Sequence, residues 1–169
     1  FYHPAAPQVF ESLEPYLAWA RARMPQAVGQ VAFLIHNGVV SDMQTQLIDA
    51  LIAAAEARNI LPLAFWYDSS DPKALTKVIK PAGADAMVNL RMTQNSAERA
   101  AELAQLGIPA IQTLTYREGD QAQWLAAPSG VAQRVVPIFM AIPETWGMSD
   151  PMVLSALQDG AAVPMAEQV

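Results

Sequence analysis

His36 and Asn37 follow an apolar run at 31–35, Tyr67 and Asp68 one at 61–66, and Arg91 one at 86–90. Tyr116 and Arg117 follow a run at 110–114, and Glu144 one at 135–141. If those runs are parallel strands, the side chains gather at one sheet edge, where ligands settle in open α/β sheets. A neutral imidazole at His36 can ligate a metal or accept a proton near neutral pH; the competing reading is a histidine bonded to its own loop. Glu144 follows Pro143, which fixes the approach of the chain. A carboxylate held there in a partly desolvated pocket would have the raised pKa needed to accept a proton. Its rival is a surface group that caps a helix or pairs with Arg134 or Arg117. Guanidinium groups at Arg91 and Arg117 can hold carboxylates, although Glu118 and Asp120 offer Arg117 a local ion pair. His3 lies in an extended, Pro-bounded segment without partner spacing to His36, and reads as structural or interdomain.

Other chemistries are excluded. Without cysteine there is no disulfide, thiolate metal site or Cys nucleophile. The Asn37-Gly38 turn lacks the glycine spacing of a dinucleotide or phosphate loop, and no Gly-x-Ser-x-Gly elbow occurs. Met87, Met92, Met140, Met148 and Met152 are scattered and fit core filling better than soft-metal ligation.

The elements that would position these groups alternate from Gln30 onward, short apolar runs with amphipathic segments, the pattern of βαβ units. The five runs lack polar alternation, as strands do when helices cover both faces. Helix punctuation lies between them. Ser41 with Gln44, Asn95 with Glu98 and Asp120 with Gln123 have capping-box spacing, Asp71-Pro72 opens another helix, and Asn59 and Gly107 close two. Ser12 caps a leading helix with Leu13, Tyr16, Leu17, Ala20 and Met24 on one face. Trp66 and Trp124 read as core or edge packing, while Trp19 falls off the apolar stripe and reads as facing a neighbouring domain. The expected fold is α/β: one doubly wound, mostly parallel, five-stranded sheet of flavodoxin-like type, with an N-terminal helix and a C-terminal extension. The expected divisions are an N-terminal helical segment at 1–29, the α/β domain at 30–147, and an extension at 148–169 that leads to the next domain. In it 152–156 forms a short edge strand.

A chain of 169 residues with 53% hydrophobic content can bury a full core. Its net charge of -6, with ten basic residues spread thinly, argues against nucleic acid and anionic membrane as partners. No apolar run approaches the roughly 20 residues that span a bilayer, so a cytoplasmic location is expected. The first residue is Phe1, and the chain reads as excised from something longer.

Four stretches carry a family resemblance: YHPAAPQVFESLEPYLAW, VAFLIH with LIDALIAAAEARNILPLAFW, IPAIQTLTYREGDQAQWLAAPSG, and IPETWGMSDPMVLSA followed by VPMAEQV. In their order and spacing the chain resembles the large subunit of cobaltochelatase (CobN), the magnesium-chelatase H subunit and the haem-associated CobN-like proteins. The resemblance implies insertion of cobalt or magnesium into a corrin or porphyrin ring. ATP would be used by separate AAA+ subunits, and the metal would be substrate, with no cofactor held stably by this domain. The alternatives are a haem-handling or dechelating protein and a non-catalytic scaffold. Partners would be the tetrapyrrole, the ATPase subunits and other domains of the same chain. Under this reading Glu144 and His36 are the candidates to accept pyrrole protons, and His36 to ligate the metal. Arg91, Arg117, Asn37 and Trp146 are the candidates to hold the ring, guanidinium groups at its rim and an aromatic face over it. The interdomain stretches 1–10 and 143–165 should then be apolar yet poorly covered. The chain departs from the family pattern at Thr145-Trp146 and at His36-Asn37-Gly38, which leaves the macrocycle open.

Overall fold

The computed structural model describes residues 1–92, 96–165 and 168. Four of the five apolar runs form strands: β1 (Gly29–Leu34), β2 (Ile60–Phe65), β3 (Ala86–Asn89) and β4 (Ala110–Tyr116). They are joined by β5 (Ser149–Gln158) and β6 (Ala161–Pro164) in the order β2-β1-β3-β4-β5-β6. Every pairing is parallel except that of β5 with β6, so the sheet has six strands instead of the expected five. The order reverses at β1, which has β2 on one side and β3 on the other.

The run at 135–141 is not the fifth strand. Pro137–Ala141 is a π-helix that continues into a short helix, Ile142–Thr145 (α7). A short apolar run cannot be assigned to helix or strand by periodicity alone. Here Pro137 and Pro143 settle it, because proline suits a helix start and would interrupt a central ladder. The true fifth strand is masked by Asp150, Pro151 and Ser155. The ladder absorbs Asp150 and Pro151 by a register shift, pairing Ile111 with Ser149 but Thr113 with Met152. Asp150 takes φ 48° at this bulge. The segment expected at the edge is thus inside the sheet, and β6 is the edge.

Helices lie on both faces, which explains why the strands show so little polar alternation. On one face α1 (Leu13–Arg23), α4 (Ala74–Ala82) and α5 (Ser96–Leu106) bury Tyr16, Leu75, Ile79 and Leu103 against Leu34, Leu63, Phe65 and Met87. On the other, α3 (Gln46–Glu56) packs Ile48, Leu51 and Ile52 against Phe33, Ile35, Ala64 and Leu154. Asp120 and Gln123 form the reciprocal capping box that opens α6 (Gln121–Ala126), and Asn59 and Gly107 take the left-handed conformation expected of them. The box expected at Ser41 and Gln44 does not form. A one-turn helix, Gly38–Ser41 (α2), ends there, Met43 turns the chain at φ 55°, and α3 begins after Thr45. Ser12 makes no side-chain cap, and Asp71 bonds the Lys73 amide ahead of a helix that starts at Ala74. Asn95 lies outside the described residues.

The N-terminal segment is covered at its ends and not between them: Phe1, Tyr2, His3 and Phe10 pack on the domain, while Pro4, Ala5, Pro7, Gln8 and Val9 are exposed. Tyr2 donates its amide to Ala64 O at 2.9 Å on the free edge of β2, and its hydroxyl bonds Asp49. Phe1 stacks on Tyr16 and Phe65 with centroids 5.6 and 6.2 Å apart. Trp19 is covered by the same segment, its ring 4.8 Å from His3 and 5.6 Å from Phe10. In 143–165, likewise expected to be poorly covered, Pro143, Met148, Leu154 and Met165 are buried, while Glu144, Thr145, residues 149–152 and residues 158–160 are exposed.

Candidate functional site

At the carboxyl ends of β1, β3 and β4 a cleft of about 480 Å³ opens on the α3 face, within the usual size range of small-molecule sites. Ile35, Leu47, Ile48, Leu90 and Leu114 form its apolar walls, and Val131, Val135 and Phe139 close the far side. The misread run at 135–141 therefore builds a wall of the cleft. Thr113 and Thr115 add hydroxyls, but both are engaged: Thr113 donates to Asn89 O at 2.9 Å, and Thr115 lies 2.9 Å from Ser155 Oγ.

Of the side chains singled out in the sequence, His36, Arg91 and Arg117 line this cleft. His36 is exposed, and its Nδ1 accepts the Gly38 amide at 3.0 Å. A neutral ring that accepts at Nδ1 carries its proton on Nε2. With Nδ1 bonded to Gly38, the neutral ring of His36 leaves Nε2–H for a group in the cleft. The loop is tight enough to hold it so, since a Cβ on Gly38 would sit 3.0 Å from Nδ1. Arg117 is exposed and makes no ion pair among the described residues. The ion pair expected for it goes to another arginine: Arg134 binds Glu118 at 2.7 Å, and Asp120 is occupied with capping α6. Arg91 is half-buried, with its guanidinium 4.9 Å from the Tyr67 ring and Nη2 bonded to Ser69 Oγ at 3.1 Å.

The other candidates lie elsewhere. Glu144 follows no strand; it is exposed on α7, outside the residues lining the cleft and without the desolvation expected of it. Trp146 packs against the core on the α1, α4 and α5 side. Asn37 is exposed at the start of α2 and does not line the cleft. Among the described residues no group of three or more His, Cys, Asp or Glu is placed to hold a metal ion, and no helix is long and apolar enough to cross a membrane.

Sequence reasoning missed the ionic cluster behind the cleft. Tyr67 is contacted by two guanidinium groups, Arg91 at 4.9 Å and Arg99 at 5.1 Å from its ring centroid. Arg99 is fully buried and pairs with Glu102, which also accepts the Thr76 amide and hydroxyl at 2.9 and 2.6 Å. Burial pushes the Tyr67 phenol up from its usual range, against the pull of both arginines. The only sequence signal was the spacing of Arg99 and Glu102 three apart on a helix, which is also the spacing of an ordinary surface pair.

With this geometry in place, comparison with known proteins is informative. The family model described as CobN/Magnesium Chelatase matches residues 1–169. No curated protein and no solved structure matches the chain.

Proposed function

We propose, given that the chain belongs to the CobN/magnesium chelatase family, that it is the part of a chelatase subunit that grips one edge of the tetrapyrrole while the metal is exchanged. The observation that carries this reading is the cleft at the strand ends, apolar in its walls and lined at its opening by Arg91, Arg117 and the Nε2 donor of His36. A flat apolar ring with acidic substituents asks for that combination. The metal, cobalt or magnesium, is substrate, ATP is consumed by AAA+ partner subunits, and the assembly works in the cytoplasm. Other domains of the same protein complete the enclosure of the ring.

The proton-accepting and metal-ligating roles expected of Glu144 and His36 are not part of this proposal. Glu144 is exposed and away from the cleft, and the lone pair of His36 is spent on Gly38. Those two observations favour a domain that binds and orients the ring, with the metal chemistry done by other parts of the enzyme.

Titration of the full-length protein with protoporphyrin, haem and corrin precursors, followed by absorbance, tests the reading. The expected result is a saturable spectral change with at least one ring, weakened tenfold or more by Val135→Trp, which fills the cleft. Ring affinity unchanged by that substitution would overturn the assignment of the cleft. Metal insertion should survive Glu144→Ala, since that carboxylate is exposed and outside the cleft.

A further inference from the structure

We propose that the cleft distinguishes free carboxylates from amides on the edge of the ring, with Arg117 as the specificity-determining residue. This rests on the ring-binding reading above and goes beyond it, because it fixes the chemical state of the substituents that the site accepts.

Donors outnumber free acceptors among the charged and imidazole side chains that line the cleft. Arg91 and Arg117 are donor-only groups, and His36 presents Nε2–H because Nδ1 is taken by Gly38. Glu118, the one carboxylate lining the cleft among the described residues, has its Oε1 bound by Arg134 at 2.7 Å. The hydroxyls of Thr113 and Thr115 are directed to Asn89 O and Ser155. Gln44 brings one donor group and one acceptor and so favours neither class.

A carboxylate has only acceptors and meets two guanidinium groups and an imidazole N–H. An amide in the same place brings two N–H donors that face other donors, and it lacks the charge that strengthens a bond to a guanidinium. Arg91 is already held by Ser69 and Tyr67, so it contributes charge in a fixed position. Arg117, exposed and without an ion pair among the described residues, has its donors available for a bidentate contact. A metal cation finds the reverse of what it needs here, since the opening offers protons where ligation requires lone pairs.

The test compares protoporphyrin with the same ring after both carboxylates are converted to amides, by absorbance titration of the full-length protein and of its Arg117→Gln variant. The unmodified protein should bind the diacid at least tenfold more tightly than the diamide. Arg117→Gln should bring the diacid to within about threefold of the diamide and leave diamide binding unchanged, with an unaltered melting temperature showing that the fold is intact. Equal binding of the two rings by the unmodified protein, or a preference that survives Arg117→Gln, overturns this proposal and leaves the ring-binding reading standing. Failure of both rings to bind overturns that reading and this proposal together.

Discussion

His3 and Glu102 are buried side chains that can carry charge, and each makes a measurable difference to the fold. Glu102 shares the interior with Arg99 and holds two donors of Thr76, so Glu102→Ala leaves a buried guanidinium without its counter-charge. The expected loss is about 3–5 kcal/mol in urea unfolding, and a loss below about 1 kcal/mol would show that Arg99 finds water. His3 is nearly inaccessible, between the Trp19 ring and Glu56, and burial depresses its pKa below 6.5 despite the carboxylate beside it. The unfolded chain therefore takes up this proton first as the pH falls. Stability contributed by neutral His3 is complete above about pH 6.5 and declines as the pH drops toward its folded value. Glu56, depressed chiefly by its bond to Arg23, loses its share as the pH falls below its ordinary 4.5. His3→Gln should flatten the decline of the urea midpoint just below pH 6.5, and an unchanged slope there would show that His3 is not the group responsible. None of this was legible in the sequence: Arg99 and Glu102 look like a solvated helical pair, and only neighbours distant in the chain, Asp71 O and Thr76, bury them. His36, Arg91 and Arg117 were legible as a group, because residues that follow parallel strands share one edge whatever the loops do.

The elements were readable where the local chemistry permits one answer and misread where two conformations satisfy the same pattern. The Asp120–Gln123 box is a reciprocal pair of bonds within four residues, and it forms as its spacing predicts. Asp120→Ala removes the acceptor of the Gln123 amide and should cost about 1 kcal/mol in urea unfolding. Gly119→Ala should have a related effect, since its Cβ would lie 1.9 Å from Gln123 Oε1 and push that side chain off the Asp120 amide. Either variant with full stability would mean that α6 is held by tertiary contacts alone. The run at 135–141 is largely apolar and satisfies a buried strand and a helix wall equally by pattern. The choice falls to Pro137 and the Pro143 that follows, which suit helix starts and not a central ladder. The reverse error was made at 149–158, where polar residues and Pro151 hid a central strand. Their accommodation in bulges against β4 depends on a partner nearly forty residues away.

At the scale of the whole molecule, the sheet has one edge held by the N-terminal segment and one end given over to the cleft, and the two should respond differently to substitution. Phe1 and Phe10 pack on Tyr16, whose hydroxyl bonds Pro62 O of β2, and so clamp α1 to the sheet. Removing both rings, Phe1→Ala with Phe10→Ala, takes away half-buried aromatic surface and should lower stability by about 3 kcal/mol, with ring binding unchanged once the protein is folded. Arg117→Gln removes an exposed cation that has no ion pair among the described residues, so its stability cost should stay within about 0.5 kcal/mol while the preference for the diacid is lost. Measuring urea unfolding and protoporphyrin affinity on both variants checks this separation. It fails if the arginine variant unfolds as readily as the aromatic one, because Arg117 would then support the fold and its guanidinium would not be available to a ligand in the cleft.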